Sequence, residues 1–204
     1  FRFNGLIIAC GQLDKILLMG KTELNTPIKS VPKATFVRLA NLYKHGHFTS
    51  LIDQAKIVLR EFPDEAIVWS LLGVGQMNLG NANEASSAFS KVTNLTPQDA
   101  SAYNNLGVSL KDQEKLDEAY KAFTKAIFLK PNFAEAHYNK GNMLVMAGNL
   151  DEAIEAFKKT ILLQPRNFEA FINLGLAFKR SGKSNEAIDT FKKLLLKNPE
   201  CASA

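Results

Sequence analysis

The sequence predicts an all-α protein: an α-α superhelix, a right-handed solenoid of helix–turn–helix units. Three observations lead there. Proline stands at Pro63, Pro97, Pro131, Pro165 and Pro199, each 34 residues after the last. Glycine keeps the same period at Gly73, Gly107, Gly141 and Gly175, and again at Gly46, Gly80, Gly148 and Gly182, with Glu114 in the missing slot. Alanine (Ala85, Ala119, Ala153, Ala187) and phenylalanine (Phe89, Phe123, Phe157, Phe191) repeat it in their own phases. A fixed period shared by several residue types is the signature of stacked supersecondary units.

The chain divides into an N-terminal extension, 1–31, and repeats at 32–65, 66–99, 100–133, 134–167 and 168–201, with a sixth beginning at 202. In the extension, Arg2 and the apolar run Leu6–Ala9 before Cys10 leave two readings open. One is the end of a lipoprotein signal with Cys10 bearing lipid. The other is a short amphipathic helix continuing through Leu13, Ile16 and Leu17. The unit at 32–65 diverges: Leu39 stands in place of the first glycine, Leu51 of the alanine and Ala55 of the phenylalanine. It is expected to act as a capping repeat.

Each regular unit carries two helical patterns of about a dozen residues. In the unit at 100–133, Tyr103, Leu106 and Leu110 line one face of the first helix, and Tyr120, Phe123, Ala126 and Ile127 one face of the second. The first glycine series and the alanines fall where the two helices cross, and the phenylalanines are expected to fill the space between hairpins. The second glycine series falls in the turn, where a left-handed backbone favours a residue without Cβ, so Glu114 should strain its turn by about 1 kcal/mol. Thr49, Asn83, Asp117, Asp151 and Asn185 follow the turns and are expected as helix N-caps. The prolines end the second helices.

Hydrophobic residues make up 46% and charged residues 22%, which suits an ordered chain. The net charge of +5 is spread in mixed-sign clusters with no block of like charge, so no dedicated nucleic-acid or anionic-membrane patch is indicated. No apolar run reaches the length of a membrane-spanning helix. Cys10 and Cys201 make no disulfide framework, and they suit a reducing, cytoplasmic setting. His45 and His47 flank Gly46, and His137 stands alone, which is a poor pattern for a metal site. Gly73-Val74-Gly75 lies within a helical pattern and is no phosphate loop. No catalytic constellation, metal or cofactor is expected.

The sequence resembles the tetratricopeptide-repeat family: an aromatic residue, then Leu-Gly, then Ala and Phe on the second helix, then Pro, over residues 32–201. Pentatricopeptide repeats, which read RNA, lack this phasing. The resemblance implies a curved groove lined by the first helices, holding a peptide or partner protein. Its candidate positions are Asn104, Asn105, Val108 and Lys111; then Glu135, Tyr138, Asn139, Asn142 and Val145; then Ile172, Asn173, Leu176, Lys179 and Arg180.

Asn105, Asn139 and Asn173 recur at the repeat spacing, and a column of amides suits an extended backbone. Such a ladder is similar to that of the repeats in O-linked N-acetylglucosamine transferases, although asparagine before Leu-Gly is common in the family at large. Phe36, Ala40, Ser70 and Val74 stand where a clamp for a C-terminal carboxylate needs basic and amide groups. Lys111, Lys179 and Arg180 offer attraction to an acidic peptide. The leading expectation is a non-enzymatic interaction scaffold. The alternative is the substrate-recruiting arm of a larger glycosyltransferase or sulfotransferase. The last residues, Cys201 to Ala204, read as the opening of a further repeat. Apolar surface at Ile188, Phe191 and Leu195, with self-association through it, is expected on that ground.

Overall fold

The computed structural model describes residues 30–197, which form ten helices and no strand. The N-terminal helix and Cys10, Pro199 and the opening of a sixth repeat all lie outside the described residues. The chain divides into two compact units. The first holds α1 (Lys33–Lys44), α2 (Phe48–Glu61), α3 (Ala66–Asn78), α4 (Ala82–Leu95) and α5 (Ala100–Lys111). The second holds α6 (Leu116–Leu129), α7 (Ala134–Met146), α8 (Leu150–Leu163), α9 (Phe168–Arg180) and α10 (Ser184–Lys197). In each unit, helices consecutive in the chain pack on one another. The division falls between Lys115 and Leu116, inside the repeat that carries Glu114.

Hairpin packing rests on one contact. Phe89 and Phe157 are fully buried, and each presses its ring on the glycine of its own first helix. A Cβ at Gly73 would stand 2.7 Å from Phe89, and one at Gly141 would stand 2.7 Å from Phe157. Gly175 and Phe191 repeat the contact. Sequence reasoning put these rings between hairpins; the structure puts them against the glycine inside the hairpin. The divergent first hairpin inverts the pair. Leu39 occupies the glycine position and Ala55 the phenylalanine position, both fully buried in one core with Leu51. Large and small have traded places, so the volume at the crossing is still filled.

Every described first-to-second-helix turn closes in the same way. Gly148 N–H donates to Val145 O at 3.3 Å and Asn149 N–H to Leu144 O at 2.9 Å. The same pair of bonds recurs at Gly46, Gly80 and Gly182, all with φ between 73° and 80°. This is a Schellman closure with glycine in the left-handed position. Glu114 makes the same bonds, Glu114 N–H to Lys111 O and Lys115 N–H to Leu110 O, and accepts a φ of 60° to do so.

The closure also corrects the expected N-caps. The residue after each glycine ends the first helix and starts the second at once: Asn81 and Asn149 carbonyls already accept from Ala85 and Ala153 N–H. The helices therefore begin at Phe48, Ala82, Leu116, Leu150 and Ser184, and Thr49, Asn83, Asp117, Asp151 and Asn185 lie within the first turn. There the carboxylates act on the helix dipole. Side-chain caps belong instead to first helices, where Asp99 accepts from Ser101 N–H and Asn167 from Ala170 N–H.

A further bond joins two of the proline turns to the next helix. Trp69 Nε1 donates to Pro63 O at 2.7 Å, and His137 Nε2, one repeat pair later, donates to Pro131 O at 3.0 Å. Burial, the first cause, holds His137 below its ordinary pKa of 6.5, with Lys159 and Lys140 adding to the effect and the Pro131 bond opposing it. Tyr120, placed by its spacing on one face with Phe123, Ala126 and Ile127, is exposed. Its hydroxyl donates to Glu152 at 3.3 Å, and Lys140 Nζ lies 4.3 Å from its ring centroid. The expected apolar surface of the last hairpin is present at Ile188 and Leu195, while Phe191 is half-buried on Gly175.

Three outcomes follow from this packing. Gly141→Ala should destabilise the second unit by about 1–3 kcal/mol in urea unfolding, because the Phe157 ring occupies the space. Glu114→Gly should raise stability by about 0.5–1 kcal/mol, since the left-handed position no longer carries a side chain. The neutral form of His137 is the stable one in the folded chain. Its contribution is therefore complete above pH 6.5 and lost as pH falls below 6.5 through the lowered folded value. His137→Trp, which reproduces the Trp69 bond without titrating, should lose less Tm than the parent between about pH 7.5 and about pH 5.5.

Candidate functional site

In the second unit the first helices α7 and α9 lie side by side and share a face. Helix α7 is amphipathic only weakly, because its small residues Ala134, Ala136 and Gly141 let neighbours enclose most of it. What remains open is a line of polar and apolar positions spaced three or four residues apart, as one helical face requires. Asn173 is its centre. The Asn173 amide donates to Asn142 Oδ1 at 2.8 Å and lies 3.2 Å from the Tyr138 hydroxyl. Tyr138 is buried, its ring 6.0 Å from that of Phe157, so the cluster is seated directly on the packing contact of its hairpin. Asn142 and Asn173 are both half-buried.

Around this cluster, Ile172 and Leu176 are 41% and 46% exposed, large values for aliphatic side chains on a packed helix. Lys179 and Arg180 are exposed in the last turn of α9, where cations are favoured by the helix dipole. Val145 is half-buried, and Met146, which the sequence did not single out, is exposed beside it. Glu135 accepts from Gln164 Nε2 at 3.3 Å and so braces α7 against the end of α8. The face therefore combines a fixed amide pair, an apolar strip and two cations.

The other expected groove residues are placed differently. Asn104, Asn105 and Val108 are buried on α5, with Asn104 Nδ2 3.5 Å from Asn105 Oδ1. They are interior side chains and present no open surface. The reason is that α5 is enclosed on several sides: Ala102, Gly107, Ser109 and Leu110 are buried as well. Asn139 is likewise buried, at 5% exposure, so the two positions of the column within the second unit differ in kind. Lys111 is half-buried and paired with Asp112 at 2.9 Å. Sequence spacing identified a helix face, but adjacent asparagines 100° apart on a helix cannot be assigned to groove or core without knowing what encloses them.

The His45 and His47 rings stack with centroids 6.3 Å apart, and His45 Nδ1 lies 2.8 Å from Asn41 O. No group of three metal-capable side chains occurs among the described residues. No described helix is long and apolar enough to cross a membrane.

Comparison with known proteins agrees with the geometry. Two family models, both described as tetratricopeptide repeat, match residues 72–131 and 104–170, and residues 144–204. No curated protein sequence matches significantly. A crystal structure of MamA is similar at 31% identity and a TM-score of 0.75, covering 81% of this chain and 97% of that one. MamA from Desulfovibrio magneticus RS-1, from its residue 41 to the end, shares 22% identity at a TM-score of 0.74, over 80% and 92% of the two chains. YrrB, a tetratricopeptide-repeat protein with an unusual peptide-binding site, shares 21% identity at a TM-score of 0.67, over 79% and 83%. These last two show likeness of fold alone. With its period, its hairpins, its glycine–phenylalanine contacts and these matches, the chain belongs to the tetratricopeptide-repeat family.

Proposed function

We propose that this chain is a protein-interaction module that holds an extended peptide segment on the α7–α9 face of its second unit. The observation that carries the proposal is the Asn142–Asn173 amide pair. With Asn142 Oδ1 accepting from Asn173, the Asn142 amide N–H and the Asn173 carbonyl have no other hydrogen-bond partner among the described residues, and both side chains are half-exposed. One donor and one acceptor held side by side match the C=O and N–H of an extended backbone, whatever its side chains.

Ile172 and Leu176 supply apolar contact next to the pair. Lys179 and Arg180 favour a segment with acidic residues towards the C-terminal end of α9. The likeness to YrrB, itself a protein with a peptide-binding site, supports the same reading. The alternative of a recruiting arm for a transferase would use this face too, and no observation singles it out.

Peptides selected from a random display library against the full chain provide the test. Binding measured by fluorescence polarisation should weaken about tenfold in Asn142→Ala/Asn173→Ala, on the order of 1 kcal/mol for the lost amide contacts. Both sites are half-buried, so circular dichroism should stay unchanged. Lys179→Glu/Arg180→Glu should cut binding of acidic peptides selectively, and parent binding should fall as salt rises. Selected peptides that bind both variants as well as the parent would place the binding face elsewhere.

A further inference from the structure

We propose that the second unit also carries a docking edge for an anionic phospholipid surface, formed by Phe128, Leu162 and Leu196 with the lysines one turn before them. The three residues occupy the same register position of α6, α8 and α10, 34 residues apart. They are among the most exposed large apolar side chains of the chain, at 75%, 71% and 83%. The repeat does not require an apolar residue there: the matching positions on α2 and α4 hold Arg60 and Asn94, both exposed.

Lysine accompanies each apolar residue at helical spacing. Lys125 precedes Phe128 by three residues, and its Nζ lies 5.2 Å from the ring centroid. Lys158 and Lys159 precede Leu162, and Lys192 and Lys193 precede Leu196, by four and three residues. Positions three and four apart share a helix face. Lys158 is also paired with Glu155 at 2.7 Å, so Lys159 is the freer of its pair. No carboxylate occurs within 121–130, 156–166 or 190–197. Most acids of these helices stand in the first turns, at Asp117, Glu118, Asp151, Glu152 and Glu186, and the two others, Glu155 and Asp189, lie seven residues before Leu162 and Leu196, two turns back from the apolar tips.

Helix dipoles account for lysine at a C-terminal end, but not for phenylalanine or leucine left in water there. Apolar tips beside long cationic side chains are the chemistry of an interfacial surface. The tips enter the acyl boundary while the lysines lie along it and reach the phosphates. A partner helix would need a groove, whereas these residues project singly from three separate helices. The proposal is independent of the peptide face on α7 and α9.

Flotation of the full chain with vesicles provides the test. The chain should float with mixed phosphatidylglycerol–phosphatidylcholine vesicles and not with phosphatidylcholine alone, and binding should weaken as salt rises. Phe128→Ser/Leu162→Ser/Leu196→Ser should reduce binding at least tenfold with an unchanged helical spectrum. Lys125→Gln/Lys159→Gln/Lys193→Gln should remove most of the salt dependence. The proposal is overturned if anionic vesicles are ignored, or if the serine variant binds them as well as the parent. It is equally overturned if the edge captures only a soluble glutamate-rich helical peptide, which would make it a protein-docking surface.

Discussion

The contact of a phenylalanine ring on a glycine Cα, made in the hairpins of 66–99, 134–167 and 168–201, is the constraint on which most of the structure depends. With no Cβ at Gly73 or Gly141, the second helix can place Phe89 or Phe157 flat against the first. That fixes how closely the helices approach and in what register. The alanine series, all buried, then fits the remaining crossing points. The first hairpin shows that the requirement is volume and not residue identity. Leu39 over Ala55 fills the same place with the roles of small and large exchanged. A packed interior tolerates such an exchange because it conserves total volume.

Turn chemistry is the second constraint, and it is backbone chemistry. A Schellman closure needs a left-handed residue immediately after the first helix, and the next residue must serve both helices. That double duty is why second helices start earlier than their polar residues suggest. It is also why Glu114 keeps the same bonds at a conformational cost instead of adopting another turn. The division between the two compact units falls one residue beyond Lys115's shared bond, at Leu116.

Surface chemistry follows from what the packing leaves open. On α7 and α9, Tyr138 is seated against Phe157, and its hydroxyl helps to orient the Asn173 amide. The polar cluster is thereby held by the core contact beneath it, a preorganisation that would lower the ordering cost of the peptide binding proposed for this face. Along the ends of α6, α8 and α10, lysine and exposed apolar side chains recur in one register. No single stretch of sequence contains that combination, since its parts lie a full repeat apart.

The period by itself determined the fold class, the glycine turns and the strained position at Glu114. These are local or nearest-neighbour properties, and a repeat prints them into the chain in fixed phase. The sequence named the first helices as candidate groove helices, and among their residues Asn142, Ile172, Asn173, Leu176, Lys179 and Arg180 are open or half-open. Which asparagines face outward was decided only by tertiary structure. Asn104, Asn105 and Asn139 carry the same side chain at the same or adjacent register positions, yet are enclosed. Enclosure depends on what every neighbouring helix covers, and helical periodicity records the direction of a side chain but not what lies in that direction.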